Sequence, residues 1–140
     1  MSGTFELRAH TADVAVAATG ETLDETFAAV ADGLAAAMCD AADVPAHGDR
    51  FSLSVDAESR QAALFDYLGE LIYERDVRGV LPVDNEATVA REGEAWTLSG
   101  RYRGVPLAAV EARDLKAVTY SEMRIEATDG GWSAYVVFDV

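Results

Sequence analysis

The stretch that organises the chain is Arg8-Ala9-His10-Thr11-Ala12-Asp13-Val14, near its start. It lies between residues 4–8, which alternate weakly, and residues 14–18, a run of valine and alanine, and both segments read as short strands. Their junction therefore holds an imidazole, a hydroxyl and a carboxylate. Such groups can ligate a divalent cation or orient the groups of a partner. The alternative is a turn held by hydrogen bonds between its side chains and its own backbone.

Three polar residues are too few to form a complete binding site. The candidate residue that completes it lies at the other end of the sequence. In Tyr135-Val136-Val137-Phe138-Asp139-Val140 a carboxylate interrupts an apolar run. If the last strand pairs next to the first, Asp13 and Asp139 converge. Because side chains alternate along a strand, Asp139 lies on the face opposite Phe138.

The clearest predicted helix covers residues 22–38. Thr22 and Glu25 have capping-box spacing, and apolar residues recur at helical intervals after them. Gly33 weakens this helix and most simply permits close approach to a strand. The acidic side chains of the helix are predicted to be solvated: Asp24, Glu25 and Asp32.

A second helix is predicted over residues 59–76. Its apolar stripe is flanked by Glu70, which either faces a cleft or is simply solvated. From Val80 onward the patterns favour strands, and Pro82 suits an edge strand or a strand start. The predicted fold is α+β: one domain over residues 1–140, with two helices on one side of a mostly antiparallel sheet or sheets of about six to eight strands.

Length and composition suit one domain with a real core, because half of the 140 residues are apolar. Cys39 is the only cysteine, so an intrachain disulfide is excluded, and we expect it to be a small buried residue. His47 is expected to be an exposed loop histidine. There is no basic segment followed by an apolar one at the start and no run of membrane-spanning length, so we expect a soluble, cytoplasmic protein.

The charge is extreme, since 11 Lys and Arg against 25 Asp and Glu give a net of −14. Such a surface repels a phosphate backbone, which disfavours direct high-affinity binding of nucleic acid. The abundance of Ala and Asp, with Arg as nearly every cation, is also typical of adaptation to a salt-rich, halophilic cytoplasm. Salt would then screen the field, and the charge would say little about partners.

Lys116 is the only lysine among eleven basic residues. An ammonium is a compact point charge that arginine does not mimic. A functional role for Lys116 and survival by chance both remain open. Arg101 and Arg103 form a small predicted basic spot. This spot and the edge near Pro82 are guesses for a surface that meets a partner.

Four segments occur in a characteristic order and spacing over essentially the whole chain. They are His10-Thr11-Ala12-Asp13, residues 65–71 (FDYLGEL), residues 115–120 (LKAVTY) and the ending from Gly131-Trp132 to Phe138-Asp139-Val140. In these segments the sequence resembles the archease family. The resemblance implies an archease-like α+β fold, and it implies that the protein is not itself an enzyme.

The resemblance further implies a function in tRNA processing. Archeases activate the RtcB-type RNA ligase of tRNA splicing: they promote guanylylation of its active-site histidine, sustain multiple turnover and broaden its nucleotide use. An alternative is a chaperone or specificity factor for a tRNA-modifying enzyme such as a methyltransferase. A stand-alone metal-dependent hydrolase is a weaker alternative, because no nucleophile and base stand at recognisable spacing.

The resemblance also implies a metal site, with calcium as the expected ion and magnesium or manganese as possible substitutes. Its ligands carry over to Asp13 and Asp139, with Val140 adding a main-chain or terminal carboxylate oxygen. Oxygen ligands suit a hard cation. His10, Thr11, Lys116 and Glu70 are the expected supporting or functional residues.

The sequence departs from the family pattern at two places. Ser121 follows Lys-Ala-Val-Thr-Tyr where the family often has a histidine, so a role for that imidazole is absent. Residues 65–69 lack a tryptophan and an asparagine that the family often carries, so contacts with a partner there are expected to differ. Neither departure changes the two carboxylates.

Overall fold

The computed structural model describes residues 3–10 and 13–140, and in these it forms seven strands and two α-helices. In chain order the elements are β1 (Thr4–His10), β2 (Asp13–Gly20), α1 (Leu23–Met38), β3 (Asp49–Ala57), α2 (Arg60–Arg78), β4 (Val80–Glu92), β5 (Ala95–Pro106), β6 (Ala117–Thr128) and β7 (Gly131–Asp139). The predicted α+β class, with two helices and antiparallel strands, is confirmed.

The strands form two antiparallel sheets. The larger sheet has the order β1-β2-β7-β6, and the smaller sheet has the order β3-β5-β4. The last strand, β7, pairs with β2 and not with β1, which lies outside β2 at the edge. Asp13 and Asp139 still meet, because Asp13 is the first residue of β2. β7 can bury its apolar face between β2 and β6, whereas β1 keeps Phe5 and Leu7 about two-fifths exposed, at 39% and 40%.

The core lies between the helices and one face of each sheet. α1 packs mainly on β4 and β2, and α2 packs mainly on β6 and β3. Along β2 and β7 the residues on the helix side alternate with those on the outer side, as a strand requires. The core-facing set from these two strands is Val14, Val16, Ala18, Ala134, Val136 and Phe138.

The first helix begins and packs as its sequence predicts. Thr22 is the N-cap, and its Oγ1 accepts a hydrogen bond from the Glu25 N–H at 3.1 Å. Gly33 faces the larger sheet, where an added Cβ would lie 2.5 Å from Cγ1 of the fully buried Val16. The expectation that Gly33 permits close approach to a strand is therefore confirmed.

Two carboxylates of α1 cover the backbone of β4, an edge strand. Asp24 accepts a hydrogen bond from the Val89 N–H at 2.7 Å, and Asp32 accepts one from the Asn85 N–H at 3.0 Å. The prediction of a fully solvated acidic face was thus wrong for these two residues. They pair donors that an edge strand would leave open, and burial raises the pKa of the Asp32 carboxyl. Pro82 lies in this edge strand, as predicted.

Other predicted features lie where the patterns put them. Cys39 is buried and His47 is exposed in the loop between α1 and β3. In the part of the chain that the structure describes, neither helix combines the length and apolarity needed to span a bilayer.

We predict that Gly33→Ala destabilises the protein. The new methyl group overlaps the Val16 side chain, and overpacking a core costs about 1–3 kcal/mol, more than the ~1 kcal/mol that alanine gains over glycine in a helix. Urea unfolding in concentrated salt would measure the difference. A variant as stable as the wild type would contradict the packing argument.

Candidate functional site

The two carboxylates of the sequence prediction meet at one end of the larger sheet. Asp13 is the first residue of β2 and Asp139 is the last of β7, and the antiparallel ladder places them directly opposite each other. Residues opposite each other in such a ladder have Cβ atoms about 4.5–5.5 Å apart. We call this region, comprising Asp13, Lys116, Asp139 and Val140, the carboxylate end.

Both carboxylates lie on the face of the sheet that is turned away from the helices. Phe138 is fully buried in the core, so its neighbour Asp139 points to the outer face. Asp13 shares that face because it is the cross-strand partner of Asp139. Asp139 is exposed and Asp13 is half-buried. The pair is therefore accessible from outside.

The start of β6 brings Lys116 to the same place. Ala117 is the cross-strand partner of Asp139, and the Lys116 N–H donates a hydrogen bond to the Asp139 carbonyl oxygen at 2.9 Å. The Lys116 side chain is exposed. The backbone of the only lysine of the chain thus lies next to Asp139, across β7 from Asp13.

Thr119 is a polar residue of this region that the sequence reasoning did not select. It stands two positions after Ala117 and opposite Val137, so it shares the outer face with Asp139. Its Oγ1 is buried and has no hydrogen-bond partner among the described residues. A buried hydroxyl left unpaired costs free energy, which is typical of a place where a ligand or ordered water completes the bonding. The sequence alone carries no signal for Thr119, because whether a hydroxyl is paired depends on the packed structure.

The remaining predicted residues are placed differently. The backbone of His10 lies opposite Asp13 in the ladder of β1 with β2, while the His10 side chain and all of Thr11 lie outside the described residues. Glu70 belongs to α2, on the helix-covered side of the sheet. The structure thus does not bring Glu70 onto the outer face with the carboxylates.

The donor set at the carboxylate end fits a hard cation. Carboxylate oxygens, a hydroxyl and nearby main-chain oxygens are the ligands that calcium and magnesium prefer. Two like charges directly opposite in a ladder are destabilising, and a bound cation removes that repulsion. Among the side chains that the structure describes, which exclude those of residues 8–12, no three His, Cys, Asp or Glu groups cluster closely enough to hold a metal. Main-chain oxygens, such as those at Val140, would add to the ligand set.

Comparison with known proteins places this architecture in a family. The sequence model of the Archease protein family matches residues 5–140. The chain belongs to the archease family. The archease of Thermococcus gammatolerans is 34% identical over 135 residues, covering 94% of this chain and 94% of that protein. The archease of Methanosarcina mazei is 34% identical over 147 residues, covering 97% and 95%.

Solved structures with the archease fold support the architecture. The solution structure of protein 1598 of Methanobacterium thermoautotrophicum superposes with a TM-score of 0.83 at 29% identity, over 97% of this chain and 98% of that one. The crystal structure of an archease from Thermotoga maritima, described as a possible chaperone, superposes with a TM-score of 0.61 at 21% identity, over 96% and 98%. The second likeness shows the fold alone.

We predict that Asp139→Asn distinguishes two effects on stability: repulsion between the two carboxylates and stabilisation by a bound metal. Without divalent metal the variant should be at least as stable as the wild type, because removing one of two opposed charges relieves about 0.2–1 kcal/mol. Calcium should raise the melting temperature of the wild type more than that of the variant, since a ligand stabilises the state that binds it.

The measurement is thermal unfolding in concentrated salt with and without calcium. Glu94→Gln, which removes an exposed carboxylate from the turn between β4 and β5, is the matched control. An equal calcium effect on all three proteins would mean that calcium binds only diffusely to an acidic surface.

Proposed function

We propose that this protein is a non-catalytic activator of an RtcB-type RNA ligase of tRNA splicing. It promotes guanylylation of the ligase, sustains multiple turnover and broadens nucleotide use. Membership in the archease family supports this proposal. The description of the Thermotoga maritima archease as a possible chaperone agrees with a protein that acts on another protein.

The observation that carries the proposal is the pairing of Asp13 with Asp139 at an exposed end of the sheet, beside Lys116. Asp13, Asp139 and a main-chain oxygen at Val140 would hold the cation, with calcium as the expected ion and magnesium or manganese as alternatives. A bound divalent cation supplies positive charge for phosphate oxygens. The rigid ladder beneath these residues would hold their side chains in place when the end meets the ligase.

Lys116 would complement this acidic pair. Guanylylation brings an anionic nucleotide to the ligase, and an exposed ammonium can contact a phosphate oxygen or a ligase carboxylate. The hydrogen bond from the Lys116 N–H to the Asp139 carbonyl oxygen keeps its backbone next to the carboxylates. The flexible Lys116 side chain therefore reaches toward the partner from a fixed backbone position.

Two mechanisms of ligase activation are compatible with this site, and experiment must distinguish them. The carboxylate end could order metal or nucleotide in the ligase. It could instead bind more tightly to a ligase conformation that accepts nucleotide, which shifts the population of that state. The second candidate function, a chaperone or specificity factor for a tRNA-modifying enzyme, predicts binding to that enzyme without dependence on GTP.

We predict that Asp13→Ala and Asp139→Ala abolish stimulation of the ligase while the protein stays folded, because both side chains face outward. The assay follows guanylylation of the RtcB-type ligase from the same source over several turnovers, with GTP and divalent metal in concentrated salt. Glu94→Ala is the control. A folded Asp139→Ala variant with full activity would remove the carboxylate end from the proposal.

We also predict that Lys116→Arg loses most of the stimulation. Arginine keeps the charge but spreads it over a planar group with different donor geometry. The same turnover assay measures the effect, and circular dichroism checks the fold. If Lys116→Arg stimulates fully and Lys116→Ala does not, the site needs only a positive charge there.

A further inference from the structure

The outer side of α2 is a continuous surface that is not buried in the core. Residues three, four or seven apart share one side of a helix. The unburied side of α2 comprises Ala62, Asp66, Glu70, Tyr73, Asp76 and Val77, together with Gly69, which borders Val118 of β6. We call this surface the α2 ridge.

Large apolar side chains are exposed on the α2 ridge and next to it. Tyr73 and Val77, one turn apart, are 58% and 62% exposed. Beside the ridge, Tyr120 of β6 is 52% exposed and stacks on Phe65, with ring centroids 4.2 Å apart and planes 4° from parallel. Exposed apolar groups of this size, when contiguous, mark sites of protein interaction.

Gly69 leaves an opening in the middle of this surface. Glycine inside a helix is unfavourable relative to alanine, so its presence needs a reason. At Gly33 the reason is internal, since a Cβ there would overlap Val16. At Gly69 a Cβ would meet only Cγ1 of Val118, at 4.0 Å. The fold leaves room for a Cβ at Gly69, so a close contact from outside would account for the glycine.

Strand β6, next to the ridge, is distorted where it carries Tyr120. In the ladder of β6 with β7, Thr119 pairs with Val137 and Arg124 pairs with Tyr135, so residues 120–123 bulge opposite Val136 alone. Glu122 within the bulge has φ 61°, a strained conformation for a residue other than glycine. Strain and bulges of this kind concentrate at functional positions.

The charge around the ridge is acidic. Asp66 and Glu70 lie on it, together with Asp76, which is paired with Arg75 at 3.0 Å, and the protein as a whole carries a net charge of −14. The pKa of Tyr120 is raised by partial burial and then by the nearby Asp66 and Glu58 carboxylates. A partner that covers this surface must therefore bring basic groups around an apolar contact.

We propose that the α2 ridge is the docking surface for the ligase, through a segment of the ligase that carries basic residues around one apolar side chain seated at Gly69. This inference rests on the proposed function. Val118 beside Gly69 is only two residues after Lys116, so the ridge lies near Lys116, while Asp13 and Asp139 lie on the other face of the larger sheet.

This surface replaces the sequence-based guess at Arg101 and Arg103. The Arg103 guanidinium is already committed within the protein: its Nε binds Asp84 Oδ2 at 2.7 Å, and its Nη1 donates to the carbonyl oxygens of Pro45 and His47 at 2.8 and 3.2 Å. A basic spot that includes Arg103 would have to give up these contacts in order to bind a partner.

The test fills the opening with Gly69→Leu. Because a Cβ has room at this half-buried position and leucine favours helix, the variant should melt at a temperature equal to or above that of the wild type. It should bind the RtcB-type ligase from the same source at least about tenfold more weakly, a difference of about 1.4 kcal/mol. Ser54→Leu, which adds the same side chain to an exposed position of β3, is the matched control and should bind normally.

Calorimetric titration in concentrated salt, paired with the turnover assay, separates the outcomes. If the wild type binds and stimulates while Gly69→Leu binds equally well, the docking surface is wrong and the proposed function stands. If the wild type neither binds nor stimulates, both fall. Should Gly69→Leu fail to fold, Tyr73→Ala decides in the same way: weaker binding supports the surface, and unchanged binding overturns it.

Discussion

The register of β2 against β7 is the constraint on which the rest of the structure depends. The two strands bury Val14, Val16 and Ala18 against Phe138, Val136 and Ala134 on the helix side. A slip of one residue would turn these side chains outward and drive carboxylates into the core. The hydrophobic core thus determines that Asp13 faces Asp139. The same packing that stabilises the domain places two like charges together at its exposed end.

The two sides of the sheet therefore have different roles: the helix side stabilises the fold, and the outer face carries the candidate functional groups. The helix side of both sheets holds the core, with glycine at the close contact of α1 on Val16 and carboxylates of α1 covering the edge of β4. The outer face at the end of β7 holds groups that no packing requires: the opposed carboxylates and the unpaired Thr119 hydroxyl. The backbone of the exposed Lys116 adjoins Asp139 at the same end of the sheet. Groups that oppose stability and are nevertheless presented on a rigid frame are typical of functional sites.

Local patterns made much of this predictable from sequence. The cap at Thr22, the apolar stripes of α1 and α2 and the alternation along β7 are short-range signals. They predicted both helices and the outward position of Asp139. The division into two sheets, the place of β1 outside β2 and the bulge of β6 depend on pairings between distant segments, which no single stretch encodes. Thr119 and Gly69 could be recognised only after their neighbours were known, because an unpaired hydroxyl and an open space are properties of the packed structure.

The central claim is that a cation binds between Asp13 and Asp139 in preference to the many other carboxylates of an acidic protein. Substoichiometric Mn²⁺ added to isotope-labelled protein in concentrated salt, with amide signals followed by NMR, tests it most directly, since a paramagnetic ion broadens only nearby signals. We expect the amides of Asp13, Ala117 and Asp139 to broaden first. Earlier or equal broadening along α2, at Asp66 and Asp76, would contradict it.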